Sequence, residues 1–423
     1  MNEATSLQQL VDALRRDRRR GPYAGHREYV ATAWAVDEAA GRLLETGNAA
    51  EAARRLRTAV DRVTRALMYL DDSSGSCGDA LRALTTRYAQ ALTAAPPKNP
   101  QALANWIAAT VFDGPGWPDI PLRDFAPALG ERGARQLTDL VEQRADDPGR
   151  ADDWGTAFGV QYLREQLAEI SGDTDHYVEV LAQSLTGPDQ YVKIVRTLRA
   201  ADRPQDALVW AHRGLAAHPP TPLTPQLTDE LVALLIADGQ SEQALAVRRD
   251  VFARTPLASS FSSLAKTAEQ LGHPETITWA LDLMRTRLRD HPALVTELIT
   301  CLRASGLDEE AWKTAVNHLD DLSKYTLQTL LEKRRGTRPA DTVVPYRKLV
   351  DLYLADNGNK YRYQYAVRHL KTLRDIHRGL GTEPEFALYL EELRAAHRRK
   401  TSFLTLLDKA GLGRAHQGRA HQE

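Results

Sequence analysis

Four short stretches of this 423-residue chain share one punctuation. LRAADRPQDAL (198–208), LIADGQSEQAL (235–245), AEQLGHPETIT (268–278) and LRASGLDEEAW (302–312) each read as a helix end, a tight polar turn and a new helix start. Their turn positions Asp202, Gly239, Gly272 and Gly306 lie 37, 33 and 34 residues apart. Five residues past the turn stands Ala207, Ala244 or Ala311, with Ile277 in the third copy, and a small side chain there lets two antiparallel helices approach closely. Seventeen past it, Pro219 or Pro256 stops the second helix. A period of this kind commits the chain to stacked helix pairs, since no single pair can bury its apolar face alone.

The unit resembles the tetratricopeptide repeat, which implies an all-α fold, an α-solenoid of degenerate helix pairs. Gly47 with Ala52 forms an outlying copy, and 170–180 and 354–364 read as diverged turns. Helical period extends to the N-terminus, where Leu7, Leu10, Val11 and Leu14 share one face before the run Arg15–Arg20 and the stop at Gly21-Pro22. No run alternates apolar and polar residues convincingly, so no sheet is expected. One region breaks the rhythm: FDGPGWPDIPLRDF (112–125) reads as a structured loop, with Trp117 and Phe125 packed beneath it. The organisation expected is an N-terminal helical unit over 1–145, a repeat array over 146–412 and a disordered tail over 413–423, where GRAHQ occurs twice. Phe403, Leu404, Leu406 and Leu407 mark a last short helix that Gly411 ends, a cap on the array.

Charge separates the two ends of the chain. The 55 basic and 56 acidic residues nearly cancel, which excludes a globally basic nucleic-acid or membrane binder. From Leu331 onward, however, 19 Lys and Arg face 11 Asp and Glu. Within that quarter, YRYQYAVRHLKTLRDIHR (361–378) places Ala366, Val367, Leu370 and Leu373 on one side, with Tyr363, and Arg368, Lys371 and Arg378 opposite. With Arg398, Arg399 and Lys400 after the next helix, these residues form the candidate face for an acidic partner or for phosphate.

Three strings that could carry chemistry read as structure. Trp117-Pro118-Asp119 has the look of a phosphatase acid loop, but that chemistry needs C-x5-R, and six residues after Cys77 and Cys301 stand Ala83 and Leu307. Asp72, Ser74 and Ser76 have an oxygen-ligand spacing, and the simpler reading is that Ser76 caps a helix from Cys77, with Asp79 completing a capping box. The 12 histidines, His369, His377, His397, His416 and His421 among them, fall in no ligand motif. Two cysteines support neither a disulfide framework nor a zinc site, and fit a reducing compartment. The longest apolar run, LVALLIA (231–237), is too short to span a bilayer, so a cytoplasmic setting without membrane contact is expected.

MYLDDSSGSCGDAL (68–81), the 112–125 loop and FALYLEELRAAHRRKTSFLTLLDKAGL (386–412) together resemble the helical region of bacterial SWIM zinc-finger proteins, over about 20–412. The resemblance implies a stand-alone helical module. The family's C-x-C…C-x-H zinc motif has no counterpart, so no metal ligand carries over.

The reading is a non-enzymatic protein-interaction scaffold with no cofactor and no metal, whose partner is another protein. A nucleic-acid-binding module using the basic quarter is the alternative. An enzyme with a dispersed site and a self-complementary homo-oligomer stand behind both.

Overall fold

The computed structural model describes residues 3–15, 25–147, 149, 154–219 and 225–413. These contain 21 α-helices and, among the described residues, no strand. The fold is an α-solenoid of tetratricopeptide-like helix pairs, and it divides into two compact units, Met1–Trp210 and Ala211–Glu423. The division falls inside the helix Pro204–Ala217. The stretch at 144–153 that suggested a boundary near 145 lies partly outside the described residues, as do the arginine run from Arg16, Gly21-Pro22 and the tail from Arg414.

The repeat is visible in its turns. Gly239, Gly272 and Gly306 have φ of 76°, 74° and 76°, and Asp202 adopts 57°. Each left-handed residue lets the next N–H reach back five residues. Gln240 donates to the Leu235 carbonyl at 2.8 Å, His273 to Ala268 at 2.8 Å, Leu307 to Leu302 at 2.9 Å and Arg203 to Leu198 at 2.9 Å. That bond satisfies a carbonyl orphaned at the helix end and reverses the chain. The outlying copy obeys the same rule, with Asn48 donating to Leu43 at 2.8 Å.

At the expected crossings, Ala52, Ala207, Ala244 and Ala311 are buried, Ala244 with none of its surface exposed. Replacing Ala244 with leucine forces three further heavy atoms into a closed crossing and should cost about 1 to 3 kcal/mol. Urea titration of variant and parent checks this; an unchanged midpoint would mean that Ala244 does not sit at the crossing.

The first unit buries one continuous cluster running from Leu7 to Leu163, and the second one from Leu245 to Leu412. In the first, Phe125 is fully buried against Tyr88 and Trp106, with ring centroids 5.9 and 6.2 Å away. Trp117 departs from expectation: it is 38% exposed and lies on the surface, its indole N–H donating to the Thr64 carbonyl at 3.3 Å. The capping expectation at Ser76 is also corrected. The helix Ser76–Ala94 is capped by Asp72, whose two carboxylate oxygens accept from Cys77 N–H at 2.9 Å and Gly78 N–H at 2.8 Å. Gly75, at φ 73°, folds Asp72 back over the helix start, so one carboxylate satisfies two orphan donors and leaves Ser76 to meet Ser74.

Candidate functional site

The helix Arg362–Leu380 buries Ala366, Val367, Leu370 and Leu373, and with them His369, Ile376 and His377. Arg368, Lys371 and Arg378 therefore point to solvent. Gly381, at φ 68°, reverses the chain into the helix Glu383–Ala396, so that 397–400 returns toward the start of the previous helix. His397 and Tyr363 both meet the ring of Phe403, at 5.9 and 5.6 Å, which fixes that return.

The six cations predicted from sequence accordingly do not form one cluster. Arg378 stands ten residues beyond Arg368, about 15 Å along the axis, and has Asp375 at 3.6 Å. Lys400 is half-buried and donates to the Leu354 carbonyl at 3.2 Å, closing the end of the helix Val343–Ala355. The Arg368 guanidinium lies over the Tyr365 ring at 5.4 Å. Arg368, Lys371, Arg398 and Arg399 are exposed and have no carboxylate within ion-pair range among the described residues.

Other charged groups of this unit are consumed by the fold. The helix Asp308–Asn317 opens with Asp308, Glu309 and Glu310, and carboxylates there oppose the positive end of the helix dipole. Lys333 reaches Asp308 at 2.9 Å, Arg334 grips Glu309 at 2.5 and 3.1 Å, and Arg285 grips Glu310 at 2.7 and 2.8 Å. Hydrogen bonds from Lys333 and Arg334 hold the Asp308 and Glu309 carboxyls below their usual range. Arg334 also lies over Trp312 at 5.2 Å. These charges are answered by neighbouring helices, so the cluster ties successive repeats together.

Cys77 and Cys301 are both buried, and burial pushes the Cys301 thiol up to about 12, far from a reactive thiolate. Among the described residues, no three His, Cys, Asp or Glu come together as a metal site, and no helix is long and apolar enough to cross a membrane.

A groove that sequence reasoning did not single out lies in the second unit. It runs between the helices Ala258–Leu271 and Val295–Ala304, the leading members of two successive pairs. Ala258, Ser262 and Ala265 line one wall and Thr300 and Ala304 the other of a recess of about 670 Å³. Short side chains at these positions keep the neighbouring helices from filling the space between them, while Lys266 and Glu269 stand exposed at its rim.

Residues 38–405 match a family described as a family of unknown function (DUF6880). This corrects the resemblance to SWIM zinc-finger proteins, for the family that spans the chain is a different one. The phrases behind that resemblance are local devices, such as the Asp72 cap and the 112–125 loop, which helical proteins can share without kinship. No curated protein matches the chain. Among solved structures it is similar to a human IFIT1 dimer with PPP-AAAA, at 12% identity over 94% of this chain and 96% of that one, with a TM-score of 0.23. It is also similar to the APC/C hetero-tetramer Cut9–Hcn1, at 11% identity over 96% and 92%, TM-score 0.20. A third similarity is to Naa15/Naa10 bound to HypK-THB, at 14% identity over 94% and 69%, TM-score 0.29. Values this low say nothing about what the chain binds.

Proposed function

We propose that this chain, which belongs to the DUF6880 family, is a protein-interaction scaffold without chemistry of its own, working in the cytoplasm. The groove between Ala258–Leu271 and Val295–Ala304 carries the reading. A recess of about 670 Å³ with small walls and a charged rim suits a segment of a partner protein: the walls admit bulky side chains, and Lys266 and Glu269 orient polar ones. A chain with only two cysteines, Cys77 and Cys301, is in keeping with a reducing compartment.

Filling the groove tests it. Ser262→Arg with Thr300→Arg changes two exposed positions, so melting should stay within about 0.5 kcal/mol of the parent. Affinity capture with the intact chain and quantitative mass spectrometry should then show one or more partners depleted at least about tenfold in the double variant. Those partners should persist with Arg368→Glu/Lys371→Glu. A partner profile unchanged by filling the groove would overturn the reading. If instead the captured material is nucleic acid, held at about 0.15 M salt and released by Arg368→Glu/Lys371→Glu, the basic face replaces the groove as the functional surface.

A further inference from the structure

In the second unit, tyrosines and cations alternate along one edge, and Lys324 joins them. Its ammonium lies 5.2 Å from the centroid of the Tyr325 ring and 5.4 Å from that of Tyr353, and it donates to Asp356. Tyr353 in turn stacks on Tyr365 at 5.2 Å, and the Arg368 guanidinium lies over Tyr365 at 5.4 Å. The turn after Asp356 leads to Tyr361, with Lys360 over its ring at 4.9 Å, and Arg362 donates back to the Asn357 carbonyl at 2.9 Å. These contacts bring together the starts of the helices Lys324–Arg335 and Arg362–Leu380. From there Tyr361, Tyr365, Arg368 and Lys371 follow one face of the second helix, at three- and four-residue spacing.

Two of the rings stand open: Tyr325 is 68% and Tyr361 47% exposed, while Tyr353 is buried. Lys360, Arg368 and Lys371 are exposed, and none has a carboxylate within ion-pair range among the described residues. The carboxylates around them are engaged. Lys324 takes Asp356, Gln328 donates to Glu332 at 3.0 Å, and Arg374 lies 3.3 Å from Asp375. Unpaired cations beside open aromatic rings fit a polyanion that carries flat rings of its own. In a single strand, phosphates meet the cations while unpaired bases stack on tyrosine. A duplex keeps its base faces covered, and an acidic protein segment answers the cations but gives the rings nothing to stack on.

We propose that this edge binds single-stranded nucleic acid without sequence preference, with bases on Tyr325 and Tyr361 and phosphates on Lys360, Arg368 and Lys371. The proposal does not rest on the scaffold reading, because the groove is built from other helices and purified components test the edge with no partner protein present.

The full chain is titrated into fluorescently labelled oligo-dT and oligo-U of about twelve nucleotides, within the site size of single-strand binders, and binding is read by anisotropy. Saturable binding is expected at about 50 mM salt, with a log–log salt slope of about −2 for three phosphate contacts. Arg368→Gln/Lys371→Gln should reduce that slope to about −0.7. Tyr325→Ala and Tyr361→Ala should each weaken binding at least about fivefold at unchanged slope, the loss of one stacked base. Both rings are exposed, so melting should not move. A duplex of equal length should bind at least about fivefold more weakly than the strand. Binding of either sugar supports the proposal, and tighter binding of oligo-U would add a contact to the 2′-hydroxyl. Failure to saturate, insensitivity to both tyrosine variants, or a duplex held as tightly as the strand would overturn it. Displacement by polyglutamate as effective as by unlabelled strand would overturn it too, and would assign the edge to an acidic protein.

Discussion

Phe252→Ala is expected to destabilise the second unit by about 3 to 5 kcal/mol. Phe252 is fully buried near the end of the helix Ser241–Arg254, and its ring lies 6.0 Å from Phe261 and 6.1 Å from Trp279. Those rings belong to the next pair, Ala258–Leu271 and Glu275–Leu288. The side chain thus fills the junction between repeats, where stacking alone closes the core. Truncation removes the apolar area and leaves a cavity that three helices cannot collapse into without losing their own contacts. In a repeat array, stability is close to a sum of repeat and interface contributions, so weakening one interface should also reduce cooperativity. Urea unfolding followed by far-UV circular dichroism should show a lower midpoint with a broader transition. A shift worth less than about 1 kcal/mol would mean that the ring is not the keystone of this junction.

How much of this was legible depends on where each feature is encoded. The turns are local: a glycine or aspartate that can adopt positive φ, followed at five residues by alanine, is written in contiguous sequence, and Gly239, Gly272 and Gly306 behave accordingly. Asp72 illustrates the limit. Its carboxylate and Ser76 are both competent caps, and the choice between them rests on the backbone path through Gly75. The hydrogen-bonded ion pairs of Asp308, Glu309 and Glu310 with Lys333, Arg334 and Arg285 span about 25 residues, so each charge reads from sequence as a solvated face. Trp154, Phe158 and Tyr162 on the helix Trp154–Ser171 escape for the opposite reason. Their i, i+4, i+8 spacing is plain in the sequence, but periodicity assigns such a stripe to the core, whereas Trp154 is 79% and Phe158 60% exposed. The basic quarter lies between these cases: composition finds the six cations, while the reversal at Gly381 and the Lys400 bond to Leu354 decide which of them remain available.

Stability should fall by about 3 kcal/mol as pH drops from above 6.5 to about 4, through His369 alone. This side chain is 6% exposed, its ring stacked 5.2 Å from Tyr353 and tilted 6.2 Å from Tyr346. Burial lowers its pKa to about 4, Arg368 beside it acts the same way, and Glu332 opposes them weakly. In the unfolded chain the imidazole titrates near about 6.5. Between those values the unfolded state binds the proton and the folded state does not, so acid favours unfolding. The contribution is complete above the unfolded value and gone once pH passes below the folded one. His397, also lowered by burial, works in the same direction. Asp308 and Glu309, held low by Lys333 and Arg334, withdraw their support only in the carboxylate range, below about 4.5, which separates the two effects. His369→Phe keeps an aromatic ring against Tyr353 and removes the titrating nitrogen. Denaturation midpoints from pH 7.5 to 4.5 should slope downward in the parent and clearly less steeply in the variant, where His397 still contributes. Equal slopes in the two proteins would show that His369 is not the neutral group on which the tyrosine stack depends.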